Sequence, residues 1–276
     1  MTVRPVMKVT RGQPTSDGAG VKMTRVLGTQ DARMFDPFLM LDHFNTENPG
    51  DYIGGFPEHP HRGFDTVTYM LEGKMRHGDN TGREGIIQTG GIQWMRAGRG
   101  IVHSEMPEQT EGRMRGFQLW VNLPGKMKMT DPDYQEFDAE FIPVETRDGG
   151  VQVKVVAGAT EPGTAGPVGG GPVDALFFDI VMPAGSRFEE PVSGARNTML
   201  VVYEGAVNVS GRTIEALGAA FMGEGDEIVV EAASDARLLL IAGKPLNEPV
   251  AWGGPFVMNT REEVMQAYDD FRQGRF

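Results

Sequence analysis

The chain has 276 residues, no cysteine, and 26 basic against 38 acidic residues, which gives a formal net charge of -12. This length suffices for two all-β modules, and the negative charge argues against nucleic acid and membrane surfaces as direct partners. Without cysteine there are no disulfides or thiolate ligands, so any metal must be bound by histidines and carboxylates. The sequence has neither a signal-peptide core nor an apolar membrane span, and we expect a cytoplasmic protein.

Short strands separated by turns are predicted along most of the chain. Strand-length runs such as TVTYML at residues 66–71 and IVV at residues 228–230 lie between closely spaced glycines and prolines. This spacing is typical of a β-barrel or sandwich. Residues 123–141 and 158–172, which are punctuated by glycine and proline, are predicted to be connections.

An internal repeat relates the two halves of the chain. Residues 68–73 match residues 200–205, and residues 91–98 match residues 218–225, with the same order of strand, Glu-Gly turn, strand and glycine-bounded turn. The repeat predicts an all-β fold of two β-barrel modules packed together, over residues 1–140 and 141–276.

A single short helix is predicted near the end of the second module. Thr260 and Glu263 form a capping-box pattern, and an apolar face of Val264, Tyr268 and Phe271 follows before Gly274 ends the helix. We expect this face to dock on a barrel wall.

The five histidines all fall in the first module, and three of them form a candidate metal site. Alternate side chains of a strand share a face, so His59 and His61 point the same way, as do His103 and Glu105. An isolated His-x-His pair is more often ordinary polar surface, but a second pair facing it across a barrel can complete a site for one ion. A divalent metal with octahedral preference would keep about two positions for water, substrate or dioxygen.

The second module provides an internal control for this site. On the registers of the repeat, the four candidate ligands align with Pro191, Ser193, Val230 and Ala232. None of these side chains is a strong metal ligand. The comparison predicts one metal-binding module, residues 1–140, beside a metal-free module, residues 141–276.

Three sequence segments together form a family pattern. They are HPHRGFDTVTYMLEG at residues 59–73 with IVHSE at 101–105, DPFLMLDHF at 36–44, and GPFVMNT at 254–260. The chain thereby resembles the pirin family of the cupin superfamily over nearly its whole length. The resemblance implies two cupin jelly-roll barrels and one mononuclear metal, usually iron, in the N-terminal barrel. It also implies the quercetin 2,3-dioxygenase activity of some bacterial members.

The sequence departs from the general cupin pattern at two points. Many cupins carry a glutamate ligand soon after the His-x-His pair, whereas this stretch offers Asp65 and Thr66, and the carboxylate comes from Glu105, as in pirins. Gly98 replaces a common proline, which we expect to alter the turn and not the ligation. Three imidazoles and a carboxylate suit Fe(II), with Mn, Ni, Cu and Zn as alternatives.

Three functions remain open on this reading. The leading hypothesis is a dioxygenase that uses dioxygen on a flavonol-like phenolic substrate, with Glu105 accepting the proton of the substrate hydroxyl. The second is a metal-binding regulatory protein that acts through protein partners, as described for some pirins. The third, a cupin isomerase acting on a sugar phosphate, needs cationic side chains around the pocket, and the candidates are Arg62, Arg96 and Arg99.

The remaining candidates have more than one reading. His43, after the apolar run 38–41, fits either a pocket role or a buried, hydrogen-bonded histidine, and His77 is predicted to be solvated in the polar turn 76–80. Four large side chains could line an apolar pocket for a flat substrate, although core packing is their more common role: Trp94, Met95, Phe117 and Trp120.

Overall fold

A computed structural model describes residues 1–28 and 35–276 of the chain. Within these residues the chain forms mainly β-strands, with one α-helix. The first twelve strands are β1 (Val6–Arg11), β2 (Gln13–Asp17), β3 (Val21–Leu27), β4 (Phe38–Thr46), β5 (Phe56–His61), β6 (Phe64–Glu72), β7 (Met75–Asp79), β8 (Glu84–Ile87), β9 (Ile92–Arg96), β10 (Ile101–Pro107), β11 (Met114–Asn122) and β12 (Asp133–Phe137).

The second half repeats this strand-rich pattern and adds the helix. Its elements are β13 (Val144–Thr146), β14 (Gln152–Ala157), β15 (Leu176–Met182), β16 (Arg187–Pro191), β17 (Asn197–Glu204), β18 (Ala206–Val209), β19 (Arg212–Glu215), β20 (Gly218–Met222), β21 (Glu227–Ala232), β22 (Ala236–Gly243), β23 (Ala251–Gly253), β24 (Phe256–Met258) and α1 (Arg261–Arg272). No helix in the described ranges is long and apolar enough to cross a membrane.

The chain divides into two compact units with the same sheet topology. In the first unit the sheet orders are β12-β9-β6-β11-β4-β3-β2 and β5-β10-β7-β8, and in the second they are β1-β20-β17-β22-β15-β14-β13 and β16-β21-β18-β19. The two sets correspond strand for strand, and the repeated segments fall on β6 and β17 and on β9 and β20. The expected duplicated all-β fold is therefore confirmed.

The interiors of the two units differ in polarity. In the second unit, apolar side chains of both sheets form one cluster, in which Phe188, Ile228 and Val230 face strands of the seven-stranded sheet. In the first unit, apolar clusters are accompanied by buried polar side chains on β6 and β10, including Thr68 and Glu105. Burying polar groups costs free energy unless they find partners, so this interior is where a functional site is expected.

The two units exchange their terminal segments. The first unit comprises described residues 14–28, 38–139 and 246–276, and the second comprises residues 1–13, 35–37 and 140–245. Residues 6–11 join the second unit because β1 pairs with β20 along an antiparallel ladder. The sequential division at residue 140, with the helix in the C-terminal module, therefore differs from the contacts in the structure, which place α1 in the first unit.

The capping box of the C-terminal helix is present as predicted. The Glu263 N–H donates to Thr260 Oγ1 at 3.2 Å, and the Thr260 N–H donates to Glu263 Oε2 at 2.9 Å. Val264 is buried, and the Tyr268 hydroxyl donates to the carbonyl of Gly253 on β23 at 3.1 Å. The helix thus packs on the β23–β24 hairpin of the first unit.

A buried ion pair connects this helix to the segment that follows the His-x-His motif. Arg62 is 3% exposed, and its Nη1 lies 2.7 Å from Asp270 Oδ2 on α1. Its guanidinium also stacks on the Phe276 ring, 4.4 Å from the ring centroid. The ion pair with Arg62 lowers the pKa of Asp270 below its usual range, so the carboxylate stays ionised at neutral pH.

The connection at residues 123–141 is more ordered than predicted. It contains β12, which pairs with β9, and the fully buried Lys128. The Lys128 ammonium donates to the carbonyls of Gly63 and Val257 at 2.6 and 2.9 Å and to the side chain of Asn122 at 2.6 Å. These bonds fix the turn after His61 from outside the strand.

We predict that Asp270→Asn lowers the free energy of unfolding by about 2 kcal/mol, because the buried Arg62 loses a charge-assisted hydrogen bond. Chemical denaturation of the whole chain measures this effect. The matched control is Asp269→Asn, which removes the neighbouring exposed pair with Arg272 and should change stability by less than about 0.5 kcal/mol. Equal effects of the two substitutions would contradict the assigned role of the Arg62–Asp270 pair.

Candidate metal centre

Three of the predicted ligands come together where β5 pairs with β10. His59 lies directly opposite His103 in this antiparallel ladder, and His61 follows two residues later on the same strand. The ring centroids are 4.4 Å apart for His59 and His103, 4.7 Å for His59 and His61, and 5.1 Å for His61 and His103. One nitrogen from each ring lies within 4.8 Å of the others, so a single ion can contact all three.

Two of the three imidazoles are in the neutral state that metal binding requires. His61 and His103 are 4% and 1% exposed, and burial, reinforced by the neighbouring histidines, holds their pKa values well below the usual range. They are therefore neutral, with a lone pair available for a cation. The Nδ1–H of His59 donates to the Pro57 carbonyl at 2.8 Å, which leaves its Nε2 as the free acceptor.

Buried ring nitrogens without partners give an independent indication of a cation site. Nδ1 of His61 and both ring nitrogens of His103 have no hydrogen-bond partner among the described residues. Buried polar atoms are rarely left unpaired, because the desolvation penalty is then uncompensated. A divalent ion held by the three imidazoles would take one nitrogen of each ring and so satisfy Nδ1 of His61 and one nitrogen of His103, and the residues present fit the metal that the sequence predicts.

Glu105 is buried beside this cluster but is not one of its members. A register shift separates His103, opposite His59, from Glu105, opposite Phe56. The two carboxylate oxygens of Glu105 accept hydrogen bonds from Thr68 Oγ1 and Gln118 Nε2, each at 2.7 Å. The structure thus groups three of the four predicted ligands and holds Glu105 through β6 and β11.

The other two histidines are both buried in strands. His43 on β4 stacks on Phe117 with ring centroids 4.6 Å apart, and burial, reinforced by Arg115, lowers the pKa of His43 to about 3. The prediction of a solvated His77 is wrong: this residue lies on β7, is 5% exposed, and its Nε2 is 2.7 Å from Glu136 Oε2. Alternation along β7 turns His77 inward, towards a carboxylate from a distant strand.

A cavity of about 690 Å³ adjoins the histidine cluster in the first unit. His59 and His61 contribute to its lining, and Trp120 contacts His61 edge-on at 5.1 Å between ring centroids. Trp252 on β23 stacks against Trp120, with centroids 5.8 Å apart and an angle of 28° between the rings. The cavity therefore combines histidine nitrogens with flat aromatic walls, as small-molecule sites commonly do.

Of the four large side chains considered from the sequence, only Trp120 is among the described residues that line this cavity. Trp94 donates from Nε1 to Asp65 Oδ2 at 2.8 Å, Met95 is fully buried, and Phe117 packs on His43. Core packing is the role of these three.

Sequence reasoning missed three parts of the cavity wall: Trp252, Gln118 and the Arg25–Asp42 pair. Trp252 precedes the GPFVMNT segment, which was noted only as a family motif. The Asp42 carboxyl lies in the DPFLMLDHF segment, and its contact with Arg25 could not be inferred from sequence spacing.

The arginines proposed for a sugar-phosphate site are engaged elsewhere. Arg62 pairs with Asp270, Arg99 Nε lies 2.8 Å from Asp131, and Arg96 Nε lies 3.7 Å from Asp65. None of the three lines the cavity described here. The structure therefore gives no support to the isomerase reading.

Comparison with known proteins agrees with the fold. Residues 20–121 match the family model described as Pirin, and residues 177–276 match the model of the Pirin C-terminal cupin domain. A pirin-like protein of Caulobacter vibrioides is 68% identical over 276 residues and is covered completely, as is this chain. A bacterial pirin of Escherichia coli in complex with nickel(II) is similar in fold, with a TM-score of 0.66 at 19% identity over 86% of this chain and all of the other.

A crystal structure of quercetin 2,3-dioxygenase from Acinetobacter baumannii is similar over 99% of this chain and 98% of the other, with a TM-score of 0.93 and 33% identity. Both halves of the sequence match family models, and the relatives are aligned from end to end. The chain belongs to the pirin family and has its two cupin domains.

Proposed function

We propose that this protein is a metal-dependent dioxygenase that acts on a flavonol-like, quercetin-type phenolic substrate. The observation that carries the proposal is the opening of a three-imidazole cluster onto a cavity of about 690 Å³ with aromatic walls. The likeness to a quercetin 2,3-dioxygenase from Acinetobacter baumannii supports the same reaction class.

The residues that would hold the ion are His59, His61 and His103, with Glu105 as the fourth ligand. Fe(II) is the ion we favour, and this donor set also suits Mn, Ni, Cu and Zn. Once bound, the ion would supply a Lewis acid for the phenolate of the substrate and redox chemistry towards dioxygen.

Glu105 is also positioned to accept the proton of the substrate hydroxyl. Hydrogen bonds from Thr68 and Gln118 hold its carboxylate in one orientation, and Gln118 itself lines the cavity. A proton from a phenol bound in the cavity would therefore pass to a carboxylate oxygen next to the cavity wall. Fixed orientation matters because general-base catalysis requires the base within hydrogen-bond reach of the proton.

The aromatic walls suit a flat substrate. Trp120 and Trp252 present nearly parallel rings, and Met40 lines the same cavity. Burial of a flavonol against these side chains would remove apolar surface from water and exclude water from the reacting atoms.

We predict that His61→Ala removes most of the metal that co-purifies with the protein, because one of three clustered imidazoles is lost. His77→Ala, at an equally buried position outside the cluster, should keep the metal content within about twofold of the unaltered chain. Elemental analysis of protein purified without added metal measures both. Equal metal content in the two folded variants would remove the assignment of His61.

We predict that iron-loaded protein consumes quercetin only when dioxygen is present, which is measured by loss of the flavonol absorbance in aerobic and anaerobic samples. The metal-depleted His61→Ala protein is the control and should lose at least about 100-fold in rate, since the ion takes part in the chemical step. No oxygen-dependent loss with iron-loaded protein would count against the dioxygenase. Metal-dependent capture of a protein partner without such turnover would favour a regulatory role instead.

A further inference from the structure

The cavity has a second polar end, formed by an arginine held in place by a buried carboxylate. Arg25 on β3 donates from Nε to Asp42 Oδ1 at 2.9 Å and from Nη2 to Asp42 Oδ2 at 2.7 Å. The Asp42 side chain is 2% exposed, whereas that of Arg25 is 33% exposed, and both residues line the cavity. This bidentate pair fixes the plane of the guanidinium before any ligand arrives.

Among the residues that the structure describes, one edge of this guanidinium has no hydrogen-bond partner. Nε and one Nη2 hydrogen are used by Asp42, and no described residue accepts a hydrogen bond from Nη1 of Arg25. An arginine donor that is already oriented loses little side-chain entropy when it binds an acceptor. Arg25 can therefore donate to an oxygen atom of a molecule that occupies the cavity.

The sheet register shows on which strands the residues of this end and the residue that contacts Glu105 lie. Thr68 is opposite Gln118, Gln118 is opposite Asp42, and Asp42 is opposite Arg25, so the four residues lie side by side on β6, β11, β4 and β3. Adjacent strands lie about 4.8 Å apart, which places the backbone of Arg25 on the order of 10 Å from that of Gln118. Gln118 contacts Glu105 and lines the cavity together with His59 and His61, so the Arg25–Asp42 pair lies two strands away from the residue that links the cavity wall to Glu105.

The charges around Arg25 determine which type of ligand oxygen can bind to its guanidinium. Asp42 neutralises the guanidinium, and Asp17 Oδ2 lies 4.0 Å from Arg25 Nη2 and lines the same cavity. This surplus of carboxylates disfavours a phosphate or a carboxylate at this end. A neutral phenolic hydroxyl fits, because its oxygen can accept from Arg25 while its O–H donates to a carboxylate.

We propose that Arg25, oriented by Asp42, determines substrate specificity by binding a phenolic hydroxyl at the end of the substrate remote from the metal. This inference rests on the proposed function, and it narrows the substrate class. The preferred substrate is a flat polyphenol that has a metal-binding hydroxyl on one ring and a further hydroxyl on the ring remote from the metal. Flavonols with a hydroxylated outer ring have both kinds of hydroxyl.

Three flavonols that differ only in the outer ring test this inference. Galangin, kaempferol and quercetin carry none, one and two hydroxyls there, and their dissociation constants with iron-loaded protein are measured under anaerobic conditions by tryptophan fluorescence. We expect the unaltered protein to bind quercetin roughly tenfold more tightly than galangin, the effect of about one hydrogen bond to a charged donor. We expect Arg25→Gln to reduce this ratio to about one and to leave galangin within about twofold.

Two further variants keep the result interpretable. Lys22→Gln, on the same strand but at an exposed residue that pairs with Asp51, should keep the tenfold ratio. The double variant Arg25→Gln with Asp42→Asn removes both charges together, so that no buried carboxylate is left unpaired, and it should also show a ratio of about one. A ratio unchanged from that of the unaltered protein in both Arg25 variants, or an equal loss for all three flavonols, would overturn the assignment.

The outcomes separate this inference from the dioxygenase itself. The binding ratio is measured without dioxygen, so it does not depend on turnover. A ratio that depends on Arg25 in a protein without oxygen-dependent turnover would support the hydroxyl site and contradict the dioxygenase. Oxygen-dependent turnover with a ratio independent of Arg25 would support the dioxygenase and contradict the hydroxyl site.

Discussion

The antiparallel pairing of β5 with β10 is the constraint on which the site depends. It places His59 opposite His103 and turns His61 into the same space, where Nδ1 of His61 and both ring nitrogens of His103 are buried without a hydrogen-bond partner among the described residues. Buried nitrogens of this kind cost free energy unless a cation or another partner satisfies them. Two further features stabilise the surroundings of this strand pair. Lys128 holds the turn after His61 through the carbonyl of Gly63, and Thr68 holds the carboxylate of Glu105.

The second unit, which has the same topology, shows how this barrel is filled when the histidines are absent. Both units have the same strand orders, yet the strand of the second unit that corresponds to β10 carries Val230 and Ala232, which join an apolar cluster. An ordinary hydrophobic interior is therefore compatible with this fold, and stability alone does not require histidines here. The fold does not require the polar interior of the first unit, so we attribute those polar side chains to the function of the protein.

Local patterns in the sequence were sufficient for the fold and for the proximity of three candidate ligands. Period-two alternation predicted that His59 and His61 share a face, and the structure groups them with His103, because each lies on a regular strand beside its partner. The same alternation suggested that Glu105 would join them, but the register shift after His103 and the hydrogen bonds from Thr68 and Gln118 depend on strands distant in sequence. Likewise, the polar residues around His77 are typical of a turn. The carboxylate that faces this histidine comes from β12, which is distant in sequence, so local patterns could not reveal the contact.

The exchange of terminal segments has a consequence for biosynthesis. The barrel that contains the histidine cluster includes residues 246–276, and the salt bridge between Arg62 and Asp270 joins positions 208 residues apart. As a ribosome adds residues from the N-terminus onward, strands β2 to β12 emerge long before the helix that completes their unit. Contacts of such separation close late, so the barrel cannot attain its final form during translation of its own strands. Stable capture of an ion in this site would thereby have to wait until residues 246–276 have been synthesised and have joined the barrel.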